Sequence, residues 1–143
     1  MLRELDRRGL PYRLVETGQH GAYLPELRER LGIRDPDVRL GSQSDVNTLL
    51  AAVRWALGLV WLLTSRHRLR TQVFGANDSV CLVHGDTPST LLATLMARRA
   101  GLTVAHLESG LRSGSFMHPF PEELIRVLVM RRADVCFAPD AAS

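Results

Sequence analysis

Three carboxylates occupy positions in this sequence where side chains could perform acid–base chemistry. Asp86 comes shortly after the apolar run 80–83, Glu108 comes shortly after the apolar run 102–105, and Glu122 opens an apolar stretch behind a proline. A carboxyl group can take a proton from a reacting atom or deliver one, depending on its protonation state. Acids gathered in one cleft are therefore candidate general acids and bases.

The elements around the first two acids are predicted to form a strand–helix–strand unit. The runs 80–83 and 102–105 are short, apolar and contain β-branched residues, as buried parallel strands do. Residues 89–100 lie between them and are predicted to be helical. The signals for this helix are a capping Thr87 or Ser89 and a terminating Gly101. Both strands of such a unit end at the edge of the sheet where α/β proteins bind ligands, so we expect the two acids to lie near each other.

Strand and helix signals alternate along the rest of the chain. The other predicted elements are a helix tail at 2–8, a strand at 12–16, a helix at 23–31, a strand at 38–40, a long helix at 46–64, a helix at 122–132 and a strand at 135–138. This alternation is typical of a doubly wound parallel sheet in the α/β class.

The motifs at these positions resemble those of the UDP-N-acetylglucosamine 2-epimerase family. Members carry a His-Gly-Asp-Thr strand end, a His-x-Glu-x-Gly-Leu-Arg turn and a Pro-x-Pro-Glu-Glu helix start, which this chain has in that order at 84–87, 106–112 and 119–123. The turn at 17–20 and the strand end at 137–139 match two further blocks. One departure is Ile125, where members commonly have Asn before the arginine.

The resemblance implies a Rossmann-like domain that forms one half of a two-domain, glycosyltransferase-B-like architecture. Family members open with a strand and a Gly-Thr-Arg-Pro-Glu turn, whereas this chain starts within the helix that follows. We therefore interpret residues 1–143 as an incomplete N-terminal domain without the first strand and without the second, UDP-binding domain.

The resemblance also implies an isomerase of the non-hydrolysing type, acting in cell-surface polysaccharide biosynthesis. It would interconvert UDP-N-acetylglucosamine and UDP-N-acetylmannosamine by eliminating UDP and adding it back, with no cofactor and no metal. Asp86, Glu108 and Glu122 match the family's acidic residues and are assigned together as general acid and base groups. The residues expected to bind substrate are Gln19, His20, His84, His106 and Arg112.

By itself, the chain is expected to bind UDP-N-acetylglucosamine weakly or not at all and to be inactive. Completion would come from a C-terminal domain or from a homo-oligomer. Two alternatives are a half-domain of a related nucleotide-sugar glycosyltransferase and a non-catalytic remnant or interaction module. The three acids favour an epimerase over a glycosyltransferase, and nothing in the sequence separates an epimerase from a remnant. Each acid taken alone could simply cap a helix or complement its dipole.

The placement of the basic residues argues against nucleic acid as a partner, although the net charge of +3 would be compatible with one. All 18 basic residues are arginines. Many occur in groups, at 7–8, 66–68, 98–99 and 131–132, that are predicted to end helices, where cations complement the helix dipole.

A membrane or an oxidising compartment is also not expected. The apolar stretch 46–64 contains Arg54 near its middle, which disfavours a membrane span, so a helix packed on the sheet is predicted. Cys81 and Cys136 lie in strand-like runs without metal-binding spacing and are interpreted as buried thiols in a reducing compartment. The predicted location is the cytoplasm.

Overall fold

A computed structural model describes residues 1–17, 24–40, 57–75, 79–110 and 120–139. Its elements are, in chain order, α1 (Leu2–Arg7), β1 (Val15–Glu16), α2 (Leu24–Leu31), β2 (Val38–Arg39), α3 (57–63), α4 (Arg66–Arg68), β3 (Val80–His84), α5 (Pro88–Ala100), β4 (Thr103–Leu107), α6 (Glu122–Met130) and β5 (Val135–Phe137). Helix α4 continues into a π-helical turn, Leu69–Phe74. The three strand pairs of the described chain are parallel, which confirms the predicted α/β class.

The predicted strand–helix–strand unit consists of β3, α5 and β4. β3 and β4 pair in parallel along their full length, so that their last residues, His84 and Leu107, lie opposite each other. The cap of α5 is Thr87, whose hydroxyl accepts a hydrogen bond from the backbone N of Thr90 at 3.3 Å. Gly101 ends the helix at a φ of 77°, a left-handed conformation that glycine adopts without steric cost.

β4 is the central strand of the sheet, and β5 pairs along its other side. Asp134 fixes the start of β5 because its backbone N donates to the Val104 carbonyl and its Oδ2 accepts from the Val104 backbone N, both at 2.8 Å. Arg98 from α5 donates to the same carboxylate at 2.5 Å. The Val104 amide and Arg98 together lower the pKa of Asp134. One ionised carboxylate therefore joins α5, β4 and β5.

The N-terminal part of the chain forms a separate hydrogen-bonded pair of strands, β1 and β2. Arg28 of α2 donates to Glu16 at the end of β1 at 2.6 Å, and both side chains are largely buried. A cavity of about 410 Å³ lies between this pair and the three-stranded sheet, lined among others by Val15 of β1 and Leu82 of β3. At its rim, the Thr17 and Ser89 hydroxyls are hydrogen-bonded at 3.0 Å, so the two parts of the fold are in contact.

The hydrophobic core lies between the three-stranded sheet and the helices packed on it. Its fully buried members include Leu69 and Val73 from the π-helical turn, Met96 from α5, Val104 from β4 and Val129 from α6. The apolar side chains of α5 and α6 thus pack against the sheet, and this core supports the ends of β3 and β4.

The arginine group around residue 66 is predicted to end a helix, and its members bond the C-termini of two helices. Arg68 Nη2 donates to the Trp61 carbonyl in the last turn of α3 at 3.0 Å, as the prediction requires. Arg66, however, begins α4, with Ser65 as its cap. Arg66 and Arg70 donate from Nε to the Ala100 carbonyl at the end of α5, at 3.1 and 2.9 Å, a helix distant in sequence that local spacing could not reveal.

The two cysteines have different environments, and the prediction that both are buried is wrong for one of them. Cys81 is half-buried, and burial raises the pKa of its thiol to about 11. Cys136 is exposed, as are the other two residues of β5.

Of the predicted helix 46–64, residues 57–63 fall within the described chain and are helical. Leu59 is buried, whereas Leu57, Val60 and Trp61 are exposed. Among the helices of the described residues, none is long and apolar enough to span a membrane.

Candidate functional site

The carboxyl edge of β3 and β4 brings an acid and a histidine into contact. His84 ends β3, and Glu108 follows β4; His84 Nε2 lies 3.0 Å from Glu108 Oε2. Both side chains are more than half exposed, at 58% and 57%. Glu108 has a φ of 56°, a conformation that non-glycine residues adopt at a cost and that recurs at functional positions. The turn after β4 therefore directs this carboxylate toward the end of β3, in reach of solvent and of a ligand.

His106 supports the turn after β3 from inside the fold. The ring is fully buried, and Nε2 lies 2.9 Å from the Gly85 carbonyl. Since a carbonyl oxygen can only accept, Nε2 carries the proton of this hydrogen bond. Nδ1 is buried and has no hydrogen-bond partner among the described residues. His106 thus holds the backbone that leads into Asp86.

Asp86 is held by an arginine that comes from α6. Arg126 Nη2 donates to Asp86 Oδ2, across 40 residues of sequence. The other terminal nitrogen, Nη1, donates to Glu123 Oε2 at 2.9 Å. Sequence reasoning did not assign Arg126 to the site. The available signal was its spacing of one helical turn from Glu122, which places both on one face of α6.

The two adjacent glutamates that open α6 have different surroundings. Glu123 is completely buried and paired with Arg126. Glu122 is half-buried, and its Oε2 is buried without a hydrogen-bond partner in the described part of the chain. Both carboxylates lie in the first turn of α6, where they favour the helix dipole, but of the two only Glu122 has a buried oxygen without a hydrogen-bond partner among the described residues.

Three predicted site residues, Gln19, His20 and Arg112, lie outside the described residues. Among the residues that the structure does describe, no group of three or more His, Cys, Asp or Glu side chains could hold a metal ion.

The three carboxylates have three different surroundings. Asp86 faces a guanidinium, which carries a permanent positive charge. Glu108 faces an imidazole, which can donate or accept a hydrogen bond. Glu122 has one oxygen without a hydrogen-bond partner among the described residues. A site of this kind can take up a proton at one carboxylate and deliver a proton from another.

The chain matches the protein-family model described as UDP-N-acetylglucosamine 2-epimerase over residues 3–143. A UDP-N-acetylglucosamine 2-epimerase of Bacillus subtilis is 34% identical over 123 residues, which are 86% of this chain and 30% of that protein. A UDP-2,3-diacetamido-2,3-dideoxy-D-glucuronate 2-epimerase of Pseudomonas aeruginosa is also 34% identical, over 88% of this chain and 32% of that protein.

A solved structure of an epimerase is also similar to this chain. The crystal structure of UDP-GlcNAc 2-epimerase from Neisseria meningitidis, bound to UDP-GlcNAc, superposes with a TM-score of 0.76 at 25% identity. The match covers 99% of this chain and 36% of that chain. The chain therefore spans about a third of the length of the relatives it matches.

Proposed function

Because the chain belongs to the UDP-N-acetylglucosamine 2-epimerase family, we propose that it supplies acid–base residues to an isomerase that interconverts UDP-N-acetylglucosamine and UDP-N-acetylmannosamine. One observation carries the proposal: Asp86, Glu108 and Glu122 come from three different parts of the fold, and each has different surroundings. Proton removal and proton return at one carbon need two groups of this kind.

The proposed reaction proceeds by elimination and re-addition of UDP. No carbonyl lies next to C2 of the sugar to acidify its C–H bond. A carboxylate therefore takes the C2 proton while the C1–O bond to UDP breaks and the electron pair forms a C1=C2 double bond. A second carboxyl group then protonates C2 from the opposite face, and the UDP oxygen re-forms the bond to C1. UDP returns to the sugar, so the enzyme is proposed to be non-hydrolysing. We assign the three acids to these steps together.

Binding of the substrate is proposed to involve exposed groups at the same edge. His84 lies beside Glu108 and is open to solvent, which suits contact with a sugar hydroxyl. Gln19, His20 and Arg112 are proposed from the family resemblance, with Arg112 as a partner for phosphate because guanidinium binds such groups bidentately. We propose that a second, UDP-binding domain completes the site, in keeping with the one third of its relatives that this chain spans. Free thiols at Cys81 and Cys136 are usual in a reducing compartment, which supports the cytoplasm as the location.

The proposal is tested in a chimera in which this chain replaces the matching part of the Bacillus subtilis relative. In deuterated water, elimination and re-addition should introduce solvent deuterium at C2 of both sugars, which NMR detects. We expect Asp86→Asn, Glu108→Gln and Glu122→Gln each to lower kcat by about 10²–10⁴-fold, the usual contribution of a general acid or base. Circular dichroism of each variant controls for folding.

Retention of near-parental rates by all three variants would reject the assignment of the acids. Release of free UDP and sugar without formation of the C2 epimer would instead identify a hydrolase or a glycosyltransferase.

A further inference from the structure

We infer that Glu123 is a positioning residue that acts through Arg126 on Asp86. This inference rests on the proposed function of the site and adds to it two residues, Glu123 and Arg126, for which neither the motifs nor the relatives supply a role. The guanidinium of Arg126 bonds two different carboxylates through its two terminal nitrogens.

Burial increases along this chain of charges from the site toward the core. The exposed fraction of the side chain is 27% for Asp86, 15% for Arg126 and 0% for Glu123. A fully buried carboxylate is very unfavourable unless it is paired and hydrogen-bonded, and Arg126 supplies an ion pair of this kind to Glu123. An exposed ion pair between residues three apart on a helix leaves both side chains free to move. In the pair of Arg126 and Glu123, packing immobilises the buried glutamate.

The geometry of arginine then transmits this constraint to the site. A guanidinium is planar, carries its donors in a rigid fork and does not lose its charge. Once Nη1 is bound to Glu123, the direction in which Nη2 points is set, and Nη2 donates to Asp86. Asp86 is thereby held in one orientation before any substrate arrives, and such pre-orientation is what positioning residues contribute to a rate.

The contact between Glu108 and His84 is organised differently. Both side chains are more than half exposed, and neither contacts a buried charge in the described structure. Glu122 has a carboxylate oxygen without a hydrogen-bond partner there. Asp86 is therefore anchored by a buried ion pair, and the described structure shows no such anchor for Glu108 or Glu122.

The test follows the side chains themselves, by NMR of the isotope-labelled chain. In the wild-type chain, the two terminal nitrogens of Arg126 should give separate signals, because each is held by its own carboxylate. In Glu123→Gln, we expect loss of that separation and a changed carboxyl carbon signal of Asp86, although residue 123 does not contact Asp86. The matched control is Glu26→Gln, which removes the exposed partner of Arg30 and should alter neither Arg126 nor Asp86.

If Glu123→Gln leaves the Nη2 signal of Arg126 and the carboxyl signal of Asp86 at their wild-type positions, the inference is wrong. Should that variant fail to fold, Glu123→Asp serves in its place: it keeps the charge but shortens the side chain by one methylene, so both signals should move, and unchanged signals would again overturn the inference. The readout is the pair of NMR signals and not enzymatic turnover. A failure of the proposed reaction would leave the NMR result unaffected, so failure of this inference and failure of the proposed function can be told apart.

Discussion

At the residue scale, the most informative position is Glu108. It lies in the left-handed region, at a φ of 56°, while holding its carboxylate 3.0 Å from His84 Nε2. A left-handed conformation costs a side-chain-bearing residue roughly 1–2 kcal/mol. A strained residue at the ligand-binding edge of a sheet suggests that chemistry, and not stability, has selected the side chain at this position.

We expect Glu108→Gly to be more stable than Glu108→Ala by up to about 1 kcal/mol. Both changes remove the carboxylate, but only alanine keeps the left-handed cost, which outweighs the greater freedom that glycine has in the unfolded chain. Urea unfolding of the two variants measures the difference. A higher stability for the alanine variant would show that the turn does not keep this backbone conformation in solution.

At the scale of elements, signals at its two ends set where α5 begins and where it stops. Thr87 caps the first turn, and Gly101 ends the last one in a left-handed conformation. The carbonyl of Ala100 is then bonded by Arg66 and Arg70 from the preceding helical segment. The end of α5 is therefore both a local stop signal and a tertiary contact, and a change there should affect two elements.

We expect Gly101→Ala to destabilise the chain more than Gly9→Ala, measured as the free energy of unfolding. Both glycines have positive φ, so both variants carry the left-handed cost of about 1–2 kcal/mol. At residue 101, an added Cβ would also lie 2.5 Å from Arg66 Nη2, whereas at residue 9 it meets nothing within 4 Å. Equal losses for the two variants would mean that Arg66 moves away at no cost.

At the scale of the whole molecule, the carboxylate of Asp37 joins segments that lie apart in sequence. Arg34 donates to Asp37 in the link before β2, and the Leu14 backbone N donates to the same carboxylate at 2.7 Å. These bonds, first that of Arg34, lower the pKa of Asp37 from 3.8 to about 2. A folded-state pKa below the unfolded one means that this carboxylate stabilises the fold above pH 4 and that the contribution disappears as the pH falls toward 2.

We therefore expect the thermal midpoint of the wild-type chain to fall between about pH 4 and pH 2, and to fall less in Asp37→Asn. Asp37 is partly exposed, so the difference should be modest and should shrink with added salt. Asp6→Asn controls for the loss of one surface carboxylate. An identical pH dependence in wild type and Asp37→Asn would show that these hydrogen bonds do not persist in solution.

Local signals in the sequence are sufficient for the parallel α/β class, for the order of most elements and for the helix between β3 and β4, but they do not predict the helical segment at 66–74. Caps, glycine stops and short β-branched runs act over a few residues, so they can be read from neighbouring letters. The family motifs are also short runs of neighbouring residues, so the family could be recognised from the sequence for the same reason. The roles of the individual site residues stay predictions.

Contacts between distant segments followed from tertiary packing alone. Glu122 and Glu123 are chemically identical and adjacent, yet one is fully buried against Arg126 and the other keeps an unpaired oxygen. Neighbouring residues of a helix point in directions roughly 100° apart, and the packing of α6 decides which of the two faces the core. Tertiary packing also brings Arg126 to Asp86, which lies 40 residues away, and it leaves Cys136 exposed. Burial and pairing are properties of the packed chain, and side-chain partners across such separations leave no periodicity in the sequence from which they could be predicted.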